Sequence, residues 1–205
     1  QKGLCILVHD GIIADIVPDT ADLDLSGYDV IDLHGRYILP GLINMHVHLA
    51  GNGKPQKKQR DNEKLVKNIM STSLTRAIAY KMVAGFAKDE LLGGVTTIRT
   101  VGGLADFDTR LRDEIESGAK TGPRILAANQ GISVPGGHMA GSVAVAAASI
   151  PDALRQLEKS KEEKVDLIKL MITGGVLDAK EKGVPGEMKM PPEMIREVCS
   201  QAHAD

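Results

Sequence analysis

Residues 40–49, PGLINMHVHL, form an apolar segment that contains two closely spaced histidines. His46 and His48 stand at the end of an apolar segment, and a strand's two-residue period would direct both imidazoles to the same face. Two imidazole nitrogens on one wall can share a divalent metal, and a catalytic site needs about three protein ligands plus an open position. Because unpaired histidines are usually surface or core residues, the pair alone is weak evidence for a metal site.

Strands and helices alternate on the carboxyl side of this stretch, which predicts an α/β fold. The predicted strands are nearly all apolar, as expected for a parallel sheet covered on both faces and joined by right-handed crossovers. Glycine pairs follow three of the strands at the edge where parallel sheets carry their sites. The predicted strands are residues 42–47, 95–101, 124–128 and 165–172, and the predicted helices are residues 62–92, 106–117, 151–164 and 192–202.

The opening of the chain has a different pattern. Residues 4–8 and 12–17 are apolar and flank Asp10-Gly11, a strong hairpin signal, and residues 29–33 are predicted as a third short strand. We therefore expect a small β-element over residues 1–38 and a separate α/β region over residues 39–205.

Composition excludes several classes of protein. The 205 residues are 42% hydrophobic and 25% charged, as in soluble globular proteins, and the net charge of -2 argues against a nucleic-acid partner. No apolar run reaches the roughly 20 residues that a membrane helix needs, and no secretory pattern opens the chain. Cys5 and Cys199 lie far apart. We therefore expect a cytoplasmic protein with no membrane partner.

Residues 40–49 resemble the first-strand signature of the amidohydrolase superfamily, metal-dependent hydrolases built on a (β/α)8 TIM barrel, with Asn44 where aspartate is usual. Four later stretches resemble one branch, the prolidase-like (Xaa-Pro dipeptidase) and imidazolonepropionase-like enzymes. These are GVTTIR at 94–99, GPRILAA at 122–128, GGH at 136–138 and DLIKLM at 166–171. The resemblance implies an N-terminal half: part of a small β-sandwich over residues 1–38 and barrel strands 1–4 over residues 39–205.

Lys169 lies within the fourth of these strands. An isolated ammonium there would be costly and its pKa lowered, although a lysine at a strand end can also extend its amine to solvent. The resemblance implies that carbon dioxide carboxylates Lys169 and that the carbamate bridges two divalent metals, with zinc expected. His46, His48 and Lys169 are then the predicted metal ligands.

Two further residues are candidates for the site. His138 follows two glycines and could donate a hydrogen bond to a substrate carbonyl or carboxylate, although a loop histidine with a structural partner is almost equally expected. Arg99, near the end of the second barrel strand, could bind a carboxylate or form a structural ion pair, and we favour the structural role.

The expected reaction is hydrolysis of an amide bond in a dipeptide or small-molecule substrate by a metal-bridging hydroxide, as in an Xaa-Pro dipeptidase or related carboxypeptidase. The alternatives are a cyclic-amide hydrolase resembling imidazolonepropionase, with one metal and no such lysine, and a non-catalytic half-barrel. The resemblance places further ligands on barrel strands 5, 6 and 8, so this piece alone is expected to be inactive. The sequence leaves open whether the protein is a homo-oligomer.

Overall fold

The computed structural model describes residues 3–20, 22–53, 61–175 and 186–204. Within the chain, two compact units are distinguished, Gln1–Leu39 and Pro40–Asp205. Among the described residues, no helix combines the length and the apolar character that crossing a membrane requires.

The first unit contains an antiparallel hairpin. Strands β1 (Leu4–His9) and β2 (Ile12–Pro18) pair across a turn in which Asp10 and Gly11 adopt φ angles of 50° and 76°. Positive φ at both central positions matches a type I′ turn, so the hairpin prediction is confirmed. The predicted strand at residues 29–33 is wrong: the segment is irregular and Ile31 is 83% exposed. It has the composition of a strand, but no strand in the described part of this unit pairs with it.

The second unit is built on a parallel sheet, which confirms the α/β class. Strands β3 (Leu42–Val47), β4 (Val95–Thr100) and β5 (Arg124–Leu126) are parallel and lie in the order β3-β4-β5. Helices connect them in sequence: α1 (Asn62–Ile69) and α2 (Ser73–Leu92) between β3 and β4, and α3 (Phe107–Glu116) between β4 and β5.

The single helix predicted over residues 62–92 is divided in two. Helix α1 ends at Ile69 with Met70 as its C-cap, and Thr72 caps α2 by accepting a hydrogen bond from the Thr75 backbone N–H at 3.2 Å. Serine and threonine side chains compete with helical backbone bonds and favour caps, so Ser71-Thr72 interrupts an otherwise helical pattern.

The region after β5 departs most from prediction. Strands β6 (Gly131–Ser133) and β7 (Ala144–Ala146), which were not predicted, form a separate parallel pair. The strand predicted at residues 165–172 is wrong as a regular strand, because it meets β6 only through an isolated bridge between Ile132 and Leu170.

Tertiary hydrogen bonds hold this extended segment in place. The Asp166 N–H donates to the Ala127 carbonyl at 2.8 Å, and the Ile132 N–H donates to the Lys169 carbonyl at 2.8 Å. The segment therefore runs from the end of β5 to β6, so its bonds are divided between two neighbours and no continuous ladder forms.

Two apolar clusters cover the second unit's sheets. Ala79, Val83 and Ala87 of α2 pack in one cluster with Ile98 of β4. Helices α4 (Ile150–Glu162) and α5 (Pro192–Ala204) confirm the last two predicted helices and form a second cluster over Ile132. The sheet formed by β3 and β4 therefore packs against an apolar cluster. The histidine pair lies at the edge of this sheet where β3 and β4 end.

Candidate metal centre

His46 and His48 converge at the carboxyl end of β3. Their Nε2 atoms are 3.3 Å apart, and their rings meet edge to face with centroids 5.2 Å apart. His46 is exposed and His48 is half-buried. The predicted sharing of one face by the two imidazoles is therefore observed, with the same nitrogen of each ring brought to one point.

A backbone carbonyl orients His48. Its Nδ1 lies 3.0 Å from the Gly102 carbonyl oxygen, in the loop that follows β4. A protonated Nδ1 donating to this carbonyl leaves the Nε2 lone pair free for a ligand. Gly102 has a φ of 133°, and a Cβ there would lie 3.3 Å from the imidazole and 3.0 Å from the Met171 methyl group. Glycine therefore permits both the backbone conformation and the close approach.

The histidine pair fits a divalent metal such as zinc. Two nitrogens bound tetrahedrally at 2.0–2.1 Å would lie about 3.3 Å from each other, and the observed Nε2–Nε2 separation is 3.3 Å. His46 also has a lowered pKa, caused first by burial and then by the charges of Lys169, His48 and Arg99. A lowered pKa favours the neutral imidazole, which is the form that coordinates metals.

The positive charges of Lys169 and Arg99 both act on His46, and each lowers its pKa. Burial, followed by the charge of Arg99, lowers the pKa of the Lys169 amine. Lys169 packs against Gly131, where a Cβ would approach its Cγ to 3.3 Å. The lysine is half-buried, and its lowered pKa increases the fraction of neutral, nucleophilic amine.

Arg99 has a structural partner, but it is a carbonyl group. Its Nε donates to the Met45 carbonyl oxygen at 2.8 Å. Within the described residues no aspartate or glutamate forms an ion pair with Arg99, so the ion pair considered from the sequence is not observed there.

His138 belongs to a loop that contacts the Lys169 segment. Its backbone N–H donates to the Thr173 carbonyl at 3.2 Å, four residues beyond Lys169, and the residue is half-buried. The structure thus connects this loop with the segment that carries Lys169. A contact between His138 and substrate stays a prediction.

Sequence reasoning missed two groups at this centre. The Asn44 side chain accepts a hydrogen bond from the His46 N–H at 3.2 Å, and the Gly102 carbonyl faces His48. The position of Gly102 directly after an apolar strand was a sequence signal that its backbone could contact the site. Across the described ranges, no three histidine, cysteine, aspartate or glutamate side chains come close enough to hold a metal, so the donors here are the two imidazoles and the Lys169 amine.

These features define a class: an α/β protein with a metal-compatible histidine pair at the carboxyl edge of a parallel sheet. Residues 37–205 match the model of the amidohydrolase family. The chain belongs to the amidohydrolase family, whose members are generally metal-dependent.

Relatives and solved structures come from both branches that the sequence resembles. The imidazolonepropionase of Salmonella paratyphi A is 32% identical, over 60% of this chain and 36% of that protein. A putative prolidase from Bifidobacterium longum is 30% identical with a TM-score of 0.70, over 98% of this chain and 42% of that one. An Xaa-Pro dipeptidase with bound methionine is 26% identical with a TM-score of 0.65, over 98% and 49%. The chain thus spans about a third of the curated relatives' length and about half that of the solved neighbours.

Proposed function

We propose that this chain forms part of a metal-dependent hydrolase of amide bonds, most similar in activity to an Xaa-Pro dipeptidase. The convergence of His46 and His48 beside Lys169 is the observation that carries the proposal. In this proposal residues 39–205 form the first half of a (β/α)8 barrel, residues 1–38 belong to a small β-sandwich, and the remaining ligands come from barrel strands outside these residues.

The chain offers donors for two divalent metals, with zinc the expected ion. The Nε2 atoms of His46 and His48 would bind one metal. Neutral Lys169 would attack carbon dioxide, forming an N–C bond while one C=O π bond breaks and one proton passes to solvent, and the carbamate would then offer two oxygen donors for the metals. Metals bound here would polarise the substrate carbonyl and lower the pKa of water.

The chain's other groups have supporting roles in this proposal. The Gly102 carbonyl holds the proton on His48 Nδ1, so that Nε2 stays a lone-pair donor. The positive charge of Arg99 lowers the pKa of the Lys169 amine and would afterwards attract the carbamate anion. His138 would donate a hydrogen bond to the substrate's carboxylate or carbonyl from the loop that contacts the Lys169 segment.

A second candidate is hydrolysis of a cyclic amide. It is supported by the 32% identity to imidazolonepropionases over 60% of this chain. Lys169 distinguishes the two candidates, because a site with one metal has no need of a bridging carbamate.

The proposed substrate is a dipeptide or another small molecule, and the proposed location of the protein is the cytoplasm. Cys5 and Cys199 are both free in the structure, which is compatible with a reducing compartment. Measurement of the protein's mass in solution would show whether it forms a homo-oligomer.

The test uses the full-length protein that contains these residues. Native mass spectrometry would count the metals, and turnover would be measured with Xaa-Pro dipeptides and with a cyclic-amide substrate. We expect two metals and dipeptide hydrolysis in the wild type, and Lys169→Met should lose metal and at least about 100-fold in activity. Lys88→Met, an exposed lysine on α2, is the matched control.

The outcomes separate the alternatives. Restoration of metal and activity by bicarbonate, after carbon dioxide has been removed, would support the carbamate. One metal with turnover of the cyclic amide alone would establish the second candidate. A Lys169→Met protein with full metal content and full activity would refute the proposed role of this lysine, and absence of metal and turnover would favour a non-catalytic half-barrel.

A further inference from the structure

The pairing between β3 and β4 is irregular where the first histidine stands. Asn44 pairs with Ile98 and Val47 pairs with Thr100, so Met45 and His46 together oppose the single residue Arg99. Two residues facing one is the pattern of a β-bulge, a feature that bends a strand and redirects side chains. An earlier irregularity between Leu42 and Ile43 has the opposite sense, so the strands regain their initial register after the bulge.

Two side chains bind the backbone of the bulged residues. The Arg99 Nε donates to the Met45 carbonyl oxygen at 2.8 Å, and the Asn44 Oδ1 accepts from the His46 N–H at 3.2 Å. A bulge disrupts the ladder locally, and backbone groups that lose a ladder partner need another one. One side chain from each strand supplies it here.

We infer that Asn44 and Arg99 are positioning residues that hold the β3 bulge and thereby aim the His46 Nε2 at the His48 Nε2. The consequence for metal binding rests on the proposed function, whereas bracing of the bulge is a property of the metal-free protein. His48 needs no such support from the bulge, because the Gly102 carbonyl orients its ring separately. His46 has no equivalent ring partner among the described contacts other than His48 itself.

The chemistry of the two residues defines what can replace them. Asn44 acts through an oxygen acceptor, so aspartate should substitute for it and alanine should not. Arg99 acts through an N–H aimed at a carbonyl, and methionine keeps the length of the side chain without a donor. Lysine keeps a donor and a charge but lacks the fixed guanidinium geometry, so partial rescue is expected.

The first experiment measures Zn²⁺ affinity by chelator competition in the full-length protein. We expect Asn44→Ala and Arg99→Met to bind Zn²⁺ about 10–100-fold more weakly, the range typical for groups that orient metal ligands. Asn44→Asp should retain wild-type affinity and Arg99→Lys should be intermediate. The matched controls are Asn68→Ala on α1 and Arg124→Met on β5, both exposed, and neither should change affinity. Wild-type affinity in both Asn44→Ala and Arg99→Met would overturn the inference.

The second experiment uses the metal-free protein, so that it remains decisive if the proposed function fails. Amide hydrogen exchange at His46 should be at least about tenfold faster in Asn44→Ala than in the wild type, and unchanged in Asn44→Asp. Thermal unfolding of each variant shows whether a faster exchange is local. Unchanged exchange in a folded Asn44→Ala protein would refute the bracing role. Faster exchange with no Zn²⁺ binding by the wild type would support the bracing role and refute the metal proposal alone.

Discussion

Two arginines of the second unit, Arg112 on α3 and Arg99 on β4, differ in how their charges are matched. Arg112 is nearly buried and donates to Asp166 at 2.8 Å, to Asp113 at 2.9 Å and to the Lys164 carbonyl at 2.9 Å. Burial alone would lower its pKa, but these carboxylates outweigh burial and raise it. Arg99 binds one carbonyl and lies near a lysine whose pKa it lowers.

The charge of Arg112 stabilises the fold, whereas the charges of Arg99 and Lys169 are available to a ligand. Asp166 also accepts a hydrogen bond from the Ala127 N–H at 2.7 Å. The contacts of Arg112 and Asp166 therefore connect α3, the end of β5 and the segment of residues 165–172. Three residues further along that segment, Lys169 has no acidic partner in the described part of the chain. An excess of positive charge without carboxylates is costly to a fold and suits a site that takes an anion.

The largest expected effect comes from removing Arg112, whose charge is matched by the carboxylates of Asp113 and Asp166. Arg112→Met should lower the free energy of unfolding by about 3 kcal/mol, because it removes a largely buried guanidinium that donates to two carboxylates and a carbonyl, and leaves the exposed Asp166 with a single donor. Arg99→Met should lower it by less than about 1 kcal/mol, since only one partly exposed hydrogen bond is lost. Urea unfolding of the full-length protein measures both, and equal losses in the two variants would contradict the distinction.

Asp108 extends this contrast, because it is a buried acid that has no basic partner among the described residues. It is 1% exposed, burial raises its pKa to about 6, and its Oδ2 has no hydrogen-bond partner among the described residues. A raised carboxyl pKa stabilises the fold below the unfolded value near 3.8 and loses that contribution as pH rises through about 6. Between pH 4 and pH 8 the wild type should therefore lose about 2–3 kcal/mol relative to Asp108→Asn.

The measurement for Asp108 is urea unfolding of both proteins across this pH range. Parallel stability profiles for wild type and Asp108→Asn would show that the carboxyl group does not titrate with a raised pKa. Asp152→Asn on α4 is a control with the opposite sign, because a hydrogen bond from Ser149 is the first cause of a lowered pKa there.

A smaller effect is expected at Tyr80, whose hydroxyl donates to Glu114 at 2.6 Å. Arg110 and Lys120 also contact Glu114, at 3.1 and 3.4 Å, so Tyr80→Phe leaves the carboxylate with two partners. We expect a loss of about 1 kcal/mol in the free energy of unfolding. Tyr28→Phe, at an exposed position in the first unit, should change nothing. A loss above about 3 kcal/mol would mean that the Glu114 group depends on Tyr80 far more than its other contacts indicate.

The smallest expected effect concerns the charges of Lys169 and Arg99, which have no acidic partner among the described residues. Burial, followed by Lys169, His48 and Arg99, lowers the pKa of His46. In metal-free protein, Lys169→Met and Arg99→Met should each move the His46 pKa upward toward its ordinary value, with burial retaining part of the shift. NMR titration of the imidazole measures this, with exposed His9 as the internal reference. A downward movement in either variant would contradict the electrostatic account.

Local patterns predicted much of the scaffold. The Asp10-Gly11 hairpin, strand β3 and the helices after residue 150 follow from turn chemistry, apolar runs and helix starts. These signals act over a few residues, so one sequence is sufficient to see them. The division at Ser71-Thr72 was missed because two capping residues inside a long helical pattern do not by themselves distinguish a cap from a tolerated position.

The long-range features could not be predicted in the same way. Residues 165–172 have the composition of a strand, but hydrogen bonds to Ala127 and Ile132 decide that the segment passes between two neighbours. The β3 bulge likewise depends on which residues of β4 lie opposite, and periodicity within β3 carries no information about that register.

The histidine spacing, the α/β alternation and the position of a lysine in an apolar segment could all be predicted from the sequence, because each depends on near neighbours along the chain. Tertiary folding sets the 3.3 Å distance between the two Nε2 atoms, the hydrogen bond from Arg99 to a carbonyl, and the contact between the Gly102 carbonyl and His48. The reason is physical: these contacts join groups 54 positions apart, or depend on a bulge set by the neighbouring strand, and only folding brings those strands side by side.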